Sequence, residues 1–191
     1  MAKRGPYEKG EAKRREILEA ALEIFAEEGY RGTSLRKVAA QCNLSLPGLM
    51  HYFDSKEDLL TQVLRVRDET ARSRHAGLTG LDNYRAVAKE GTGTPGLVEL
   101  FVSMSAAASD PEHPAHAHFA QRYPDIRAGI VAYLRTLMEE GAIRTDIPAE
   151  RLAVLLVAVA DGVQLQWLTD RSLDMGQPIE DVMKLLAVKP G

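Results

Sequence analysis

The 191-residue chain has one cysteine, Cys42, and one tryptophan, Trp167. A single thiol excludes an internal disulfide framework and a multi-cysteine zinc site. The chain has no Gly-x-Ser-x-Gly, P-loop, dinucleotide fingerprint or His-Glu-x-x-His motif, so the enzyme classes those motifs serve are not indicated. It also has no Glu-x-x-His pair, which a di-iron carboxylate bundle requires; the nearest match is Asp110-Pro-Glu-His113, in a proline-rich stretch. No apolar run approaches the roughly 18 residues of a membrane span. The opening MAKRGPYEKGEAKRRE lacks the apolar stretch of a signal peptide, so a cytoplasmic location and no membrane partner are expected. Strand-like alternation, hairpin dipeptides and internal repeats are absent as well.

The composition is that of an ordinary globular protein, 45% apolar and 27% charged, with room for a sizeable core in one or two domains. The net charge of -3 does not point to a polyanionic partner, but its distribution does. Residues 1–79 carry 14 Lys/Arg against 12 Asp/Glu, and residues 80–191 carry 10 against 15. The first fifteen residues hold six basic and two acidic side chains. A basic end on an acidic body suits a protein that presents one end to a polyanion.

The dominant period is helical. Ile17, Leu18, Ala21, Leu22 and Phe25 form one stripe, predicting a helix over residues 12–28 closed by Gly29. Thr33 or Ser34 can cap a second helix through Gln41 that buries Leu35, Val38 and Ala39. In the turn that follows, Cys42-Asn43-Leu44, Asn43 is the non-glycine type that best tolerates a left-handed residue. Ser45 can cap a third helix with Pro47 in its first turn, ending in His51-Tyr52-Phe53. Ser55 can cap a fourth, with Glu57 and Asp58 at its positive end and Leu59, Leu60, Val63 and Leu64 inward.

Beyond a weakly patterned stretch from His75 to Gly80, a short helix is expected over residues 83–89. Residues 91–96 (GTGTPG) read as a loop. Leu97, Leu100, Phe101 and Met104 form a further stripe. Residues 115–123 predict a short helix. Pro124 then opens a long one through Glu140, with Ile130, Leu134, Leu137 and Met138 inward and Gly141 closing it. The last two helices are expected over about 148–170 and 178–188. Residues 152–160 (LAVLLVAVA) are apolar on every side, with small Ala153, Ala158 and Ala160 allowing close approach. Such a helix is central to a large core or shared with a second subunit; a homodimer is the reading adopted.

A helix, a Cys-Asn-Leu turn and a Ser-capped helix make a helix-turn-helix pattern. The basic arm before it, the polar-tipped rings of His51 and Tyr52, and Lys56 at the start of the next helix favour a nucleic-acid role. Residues 17–60, with a first helix ending AEEGY and then RGTSLRKVAAQCNLSLPGLMHYFDSKEDLL, resemble the tetracycline-repressor (TetR) family of transcription factors. Gly29, Tyr30, Thr33, Ser34, Leu35, Val38, Ala39, Ser45, Tyr52, Phe53, Lys56, Glu57 and Leu59 carry the resemblance. Residues 161–170 (DGVQLQWLTD) are similar to the late dimerisation helix of many members.

The resemblance implies an all-α fold with three parts. Residues 1–55 form the basic arm and helix-turn-helix domain, residues 56–79 a linking helix, and residues 80–191 a helical ligand-binding and dimerisation domain. It also implies a homodimeric regulator, a repressor by family default, on double-stranded DNA with an inverted-repeat operator, released by a small-molecule effector. The DNA-facing set is Thr33, Ser34, Arg36, Ser45, Leu46, Pro47, Gly48, His51, Tyr52 and Lys56. The sequence departs from the family pattern at Asn43, where glycine is usual, and at Met50, where tyrosine is common. The third helix has no Arg, Lys, Asn or Gln for bidentate base reading. Leu46 and Pro47 can touch thymine methyls, Gly48 lets the backbone approach, and His51 and Tyr52 can hold phosphates. Arg36 is the candidate for reaching a guanine, with a phosphate contact as its alternative.

Effector-lining candidates are Phe101, Met104, Phe119, Tyr123, Gln164 and Trp167, each with core packing as the alternative. His113, His116 and His118 with Asp110 and Glu112 are metal-ligand types, but their spacing matches no standard site, so neither metal nor cofactor is expected. Cys42 reads as a small buried hydrophobe, with a thiol switch as the alternative. Two other functions compete: a helical protein-interaction module with a structural helix-turn-helix, and a small helical-bundle enzyme.

Overall fold

The computed structural model describes residues 6–28, 34–78 and 80–188. Among them the chain forms α1 (Pro6–Glu28), α2 (Leu35–Gln41), α3 (Leu46–Met50), α4 (Lys56–Arg74), α5 (Gly80–Gly93), α6 (Pro95–Ala107), α7 (His116–Glu139), α8 (Ala149–Thr169) and α9 (Gln177–Leu186). No strand forms among the described residues; an isolated antiparallel bridge joins Ile143 and Ala187. The expected all-α class is what the chain adopts.

The helices gather into two compact units. Unit 1 takes residues 1–74 and 94–118, and unit 2 takes residues 75–93 and 119–191. This packing does not follow the chain-order partition at 55 and 79. In unit 1, α1 packs on α4 and α6, α4 on α6, and α2 on α1 and α3. The α1 stripe of Ile17, Leu18, Ala21, Ile24 and Phe25 is buried together with Leu59, Leu60, Val63 and Leu64 of α4. Leu97, Val98, Leu100, Phe101 and Met104 of α6 are buried too. Two partners for α6 account for its wide apolar face.

In unit 2 the core joins Leu134, Ile143, Ala149, Leu152, Ala153, Leu156, Ile179, Met183 and Leu186. The half-buried Ile130, Leu137 and Met138 pack against it. Gly141, at φ +69, closes α7 as expected: its N–H donates to Met138 O and that of Ala142 to Leu137 O. Gly80 also needs to be glycine, since its φ is +53 and a Cβ there would overlap the Tyr133 ring.

Several expectations are corrected. Helix α1 is already helical at Pro6, six residues before residue 12. The loop expected at 91–96 is helical through Gly93, so the short helix expected over 83–89 spans Gly80–Gly93. Gly91 is buried there, where packing outweighs the poor helix propensity of glycine. Pro124 does not divide two helices but lies inside α7; its missing N–H removes a single bond, to the carbonyl one turn back. Helix α3 ends at Met50, leaving His51 as its C-cap and Tyr52 and Phe53 beyond it. By length and composition, Ala149–Thr169 is long and apolar enough to cross a membrane, contrary to the expectation of no such run. The apolar stretch at 152–160 is not all core: Val154 and Leu155 are more than half exposed, at 53% and 54%. Gly29, Tyr30 and Thr33 lie outside the described residues, and so do residues 1–5 of the basic arm.

Candidate nucleic-acid interface

The helix-turn-helix lies within unit 1 and is built by local hydrogen bonds. The end of α2 is a Schellman turn: Leu44 N–H donates to Ala39 O at 2.8 Å and Asn43 N–H to Ala40 O at 3.0 Å. Asn43 takes the left-handed conformation that this turn needs, at φ 54. Ser45 caps α3, its Oγ accepting from Gly48 N–H at 3.1 Å. That bond explains Gly48 as well, because a Cβ there would lie 3.2 Å from Ser45 Oγ. Leu49, fully buried, is the residue by which α3 is seated.

The capping of α2 differs from expectation. Ser34 holds the N-cap position, yet its side chain makes no cap bond and is exposed. The start of α4 is closed reciprocally, with Asp58 N–H donating to Ser55 Oγ at 3.0 Å and Asp54 N–H to Asp58 Oδ2 at 3.2 Å. The Asp58 amide is thus not open to a phosphate, and Glu57 and Asp58 already occupy the positive end of the helix.

The surface left by this scaffold holds Ser34, Arg36, Ser45, Pro47, His51 and Lys56, all exposed, with Leu46, Gly48 and Tyr52 half-buried. The His51 and Tyr52 rings meet edge to face at 5.9 Å. Lys37 is paired with Glu28. These groups are hydroxyls, cations, an imidazole and small apolar surfaces. Such a set suits phosphate oxygens and thymine methyls better than bidentate base reading.

Lys13 and Arg14, part of the basic arm in the sequence, are engaged in cross-helix contacts that their charge alone does not reveal. Lys13 Nζ donates to Cys42 O at 2.7 Å and to Glu16 Oε1 at 2.7 Å. The Glu16 bond holds the Lys13 ammonium above its usual range. Arg14 Nε donates to Tyr52 O at 3.3 Å, and its guanidinium lies 5.3 Å from the centroid of the buried Phe53 ring. A signal was available: Lys13 and Arg14 stand four residues before Ile17 and Leu18, so they continue the buried stripe by one turn. Cys42 is buried and burial pushes its thiol up, away from the thiolate that redox chemistry needs.

The effector candidates fall in both units. Phe101 and Met104 are buried in unit 1, with the Arg67 guanidinium 5.4 Å from the Phe101 ring. In unit 2, Phe119 is buried and its ring is 5.8 Å from that of Tyr123. Tyr123 donates its hydroxyl hydrogen to Asp161 Oδ2 at 2.8 Å, and burial, then this bond, pushes Tyr123 up to about 12. Burial likewise raises Asp161. Asp161 lies outside the candidate set, although it is the one charged residue between 152 and 169. Gln164 turns its amide nitrogen back on its own helix, donating one of its two N–H groups to Ala160 O at 3.2 Å. Trp167 is buried, with the Arg171 guanidinium 3.8 Å from its ring centroid. A surface cleft of about 400 Å³ in unit 2 is lined by Arg85, Lys89, Met175 and Glu180 among others, and by none of the six candidates.

The three histidines make separate contacts. His113 Nδ1 accepts from Ala115 N–H, His116 Nδ1 lies 2.9 Å from Ala108 O, and His118 Nε2 lies 3.7 Å from Asp68 Oδ2. No group of three potential ligands forms a metal site among the described residues.

Comparison with known proteins agrees with this geometry. Residues 17–63 match the bacterial regulatory proteins of the tetR family, and residues 85–187 match the C-terminal region of BetI-type transcriptional repressors. The HTH-type transcriptional repressor KstR2 of Rhodococcus jostii is 27% identical over 164 residues, covering 81% of this chain and 79% of that protein. The HTH-type transcriptional repressor AcnR of Corynebacterium efficiens is 26% identical over 179 residues, 93% of each chain. Among solved structures, a putative transcriptional regulator from Saccharomonospora viridis in complex with choline has the same fold. Its TM-score is 0.73 at 23% identity, covering 94% of this chain and all of that one.

Proposed function

Because the chain belongs to the tetR family of bacterial transcriptional regulators, we propose that it is a repressor that binds an inverted-repeat duplex as a homodimer and is released by a small molecule. The family regulates transcription and is not a family of enzymes, which sets aside the helical-bundle enzyme and the interaction module with an inert helix-turn-helix. The observation that carries the reading is α3: a five-residue helix held by its Ser45 cap and a Schellman turn, with Ser45, Pro47 and His51 exposed and Lys56 following.

Thr33, Ser34, Arg36, Ser45, Leu46, Pro47, Gly48, His51, Tyr52 and Lys56 are the proposed DNA contacts. Phosphate contacts supply affinity and register, and the few base contacts supply sequence choice. In functional terms residues 1–55 read DNA, 56–79 link, and 80–191 sense and dimerise. Support for the homodimer comes from Val154, Leu155 and Leu165 of α8, Leu185 of α9 and Val188, large apolar side chains left 53–78% exposed in a single chain. The reading places the protein in the cytoplasm, where transcription occurs, and requires no cofactor.

The six residues named from the sequence are the proposed effector contacts: Phe101 and Met104 within unit 1, and Phe119, Tyr123, Gln164 and Trp167 within unit 2. The Tyr123 ring, hydrogen-bonded to Asp161 and lying beside that of Phe119, is of the kind that receives an organic cation, which makes choline the first effector to try. An effector acts only if it binds the DNA-incompetent state more tightly, and DNA must then weaken effector binding by the same factor.

Enrichment of duplexes from a randomised library by the purified protein, followed by anisotropy across a salt series, tests the proposal. The expected product is an inverted repeat bound with a steep salt dependence, with Arg36→Ala reordering the sequence preferences. No enrichment at low salt, with the protein folded, would overturn it.

A further inference from the structure

We propose that Lys13 and Arg14 are positioning residues of the DNA-reading head: two adjacent cations of α1 that clamp the two ends of the recognition segment, and do not themselves grip phosphate. The inference rests on the reading of this segment as a DNA interface.

The clamp is seen in where the two side chains end. Lys13 Nζ donates to the carbonyl of Cys42, the C-cap of α2, at 2.7 Å. Arg14 Nε donates to the carbonyl of Tyr52, one residue beyond the C-cap of α3, at 3.3 Å. Both acceptors belong to the negative ends of short helices, where orphan carbonyls gather and a cation is favoured. The two carbonyls bracket the segment from Cys42 to Tyr52, which holds Ser45, Leu46, Pro47, Gly48 and His51.

Neither α2 nor α3 has a basic residue in its last turn, so the cations that answer these helix ends come from α1. The Arg14 guanidinium also covers the face of Phe53, a contact that a freely solvated arm residue would not keep. Lys13 is held from its other side by Glu16, so its ammonium has two acceptors already. A helix of five residues is too short to hold its own shape in water. Its placement is therefore set from outside the helix, by the burial of Leu49 and by these two cross-helix bonds.

The clamp separates affinity from salt dependence. A phosphate-binding cation, when removed, lowers the slope of log K against log salt by about one. Removing a positioning cation weakens binding without releasing fewer counterions. The experiment uses the full-length protein and a duplex it has itself enriched from a randomised library. Lys13→Met and Arg14→Met should each weaken binding about tenfold at every salt concentration, leaving the slope unchanged. Lys56→Ala should lower the slope by about one.

Amide hydrogen exchange on the protein without DNA gives a second readout. The clamp predicts faster exchange in Arg14→Met confined to residues 43–53, with the Ile17 and Leu60 regions unchanged. Should Arg14→Met fail to fold, Arg14→Lys serves in its place. A lysine keeps the charge but not the planar fork that reaches the Tyr52 carbonyl while covering Phe53, so the clamp predicts weaker binding at constant slope. A slope reduced by one in either Met variant, full affinity in Arg14→Lys, or unchanged exchange over 43–53 would overturn the proposal. If no duplex is enriched at all, the functional reading fails, while the exchange experiment still decides whether the clamp exists.

Discussion

The segment around α3 and the helix α8 are stabilised in opposite ways. Helix α3 has five residues and one fully buried side chain, Leu49. It is held by directional bonds: the Ser45 cap, the Asn43 turn, and the Lys13 and Arg14 contacts. Helix α8 has 21 residues, no side-chain N-cap bond and a buried side of Leu152, Ala153, Leu156, Val163 and Trp167. It also leaves Val154, Leu155 and Leu165 exposed. A reading head needs a fixed surface with few apolar groups, so hydrogen bonds define it. A helix proposed to unite subunits needs apolar area, which is non-directional and tolerant of detail.

Breaking the contrast at its apolar end should have the largest effect. Leu155→Glu puts a charge on a face already exposed in the single chain, so the monomer fold is expected to survive. Sedimentation should show half the wild-type mass, and operator affinity should drop by about 10²–10⁴, the range lost when two linked contacts become one. Next is Leu49→Ala, which removes the apolar seat of α3. It should cost about 2–5 kcal/mol in denaturant unfolding and abolish duplex binding, with the helical signal of α8 retained until the main transition.

Ser45→Ala tests the directional end. It should cost about 1 kcal/mol and weaken duplex binding severalfold without changing subunit association. Asn43→Gly removes the strain of a left-handed non-glycine residue, so it should change stability by only a few tenths of a kcal/mol, towards stabilisation.

The smallest expected effect is the pH response of Asp161. Its folded-state pKa is raised by burial, so the native state binds the extra proton. Stability from this group is therefore greatest at acid pH. It declines as pH rises from the ordinary value of 3.8 through the raised one. Relative to Asp161→Asn, the wild type should lose stability across that window in thermal melts, and a relative gain with rising pH would contradict the assignment.

The reading head was legible in the sequence because its determinants are local. Asn43 two residues after Gln41, Ser45 three before Gly48 and Ser55 three before Asp58 each announce a turn or cap that neighbouring residues can satisfy. Unit 2 was less legible because tertiary packing overrode local punctuation. Gly91 and Gly93 read as a loop yet stay helical, and Pro124 reads as a helix start yet lies inside α7. The cross-helix bonds of Lys13 and Arg14 join residues 29 and 38 positions apart, a distance at which composition says nothing. The Tyr123–Asp161 pair is equally distant, at 38 positions, and only the isolation of Asp161 in an apolar helix marked it.

Hydroxyl-radical footprinting on an enriched duplex tests most directly whether the α3 face meets DNA twice per assembly. Two protected windows related by a dyad are expected, with centres one helical turn of about 34 Å, or a multiple of it, apart. Both windows should vanish together in Leu155→Glu at concentrations that saturate the wild type. A single window, or protection that Leu155→Glu leaves intact, would contradict it.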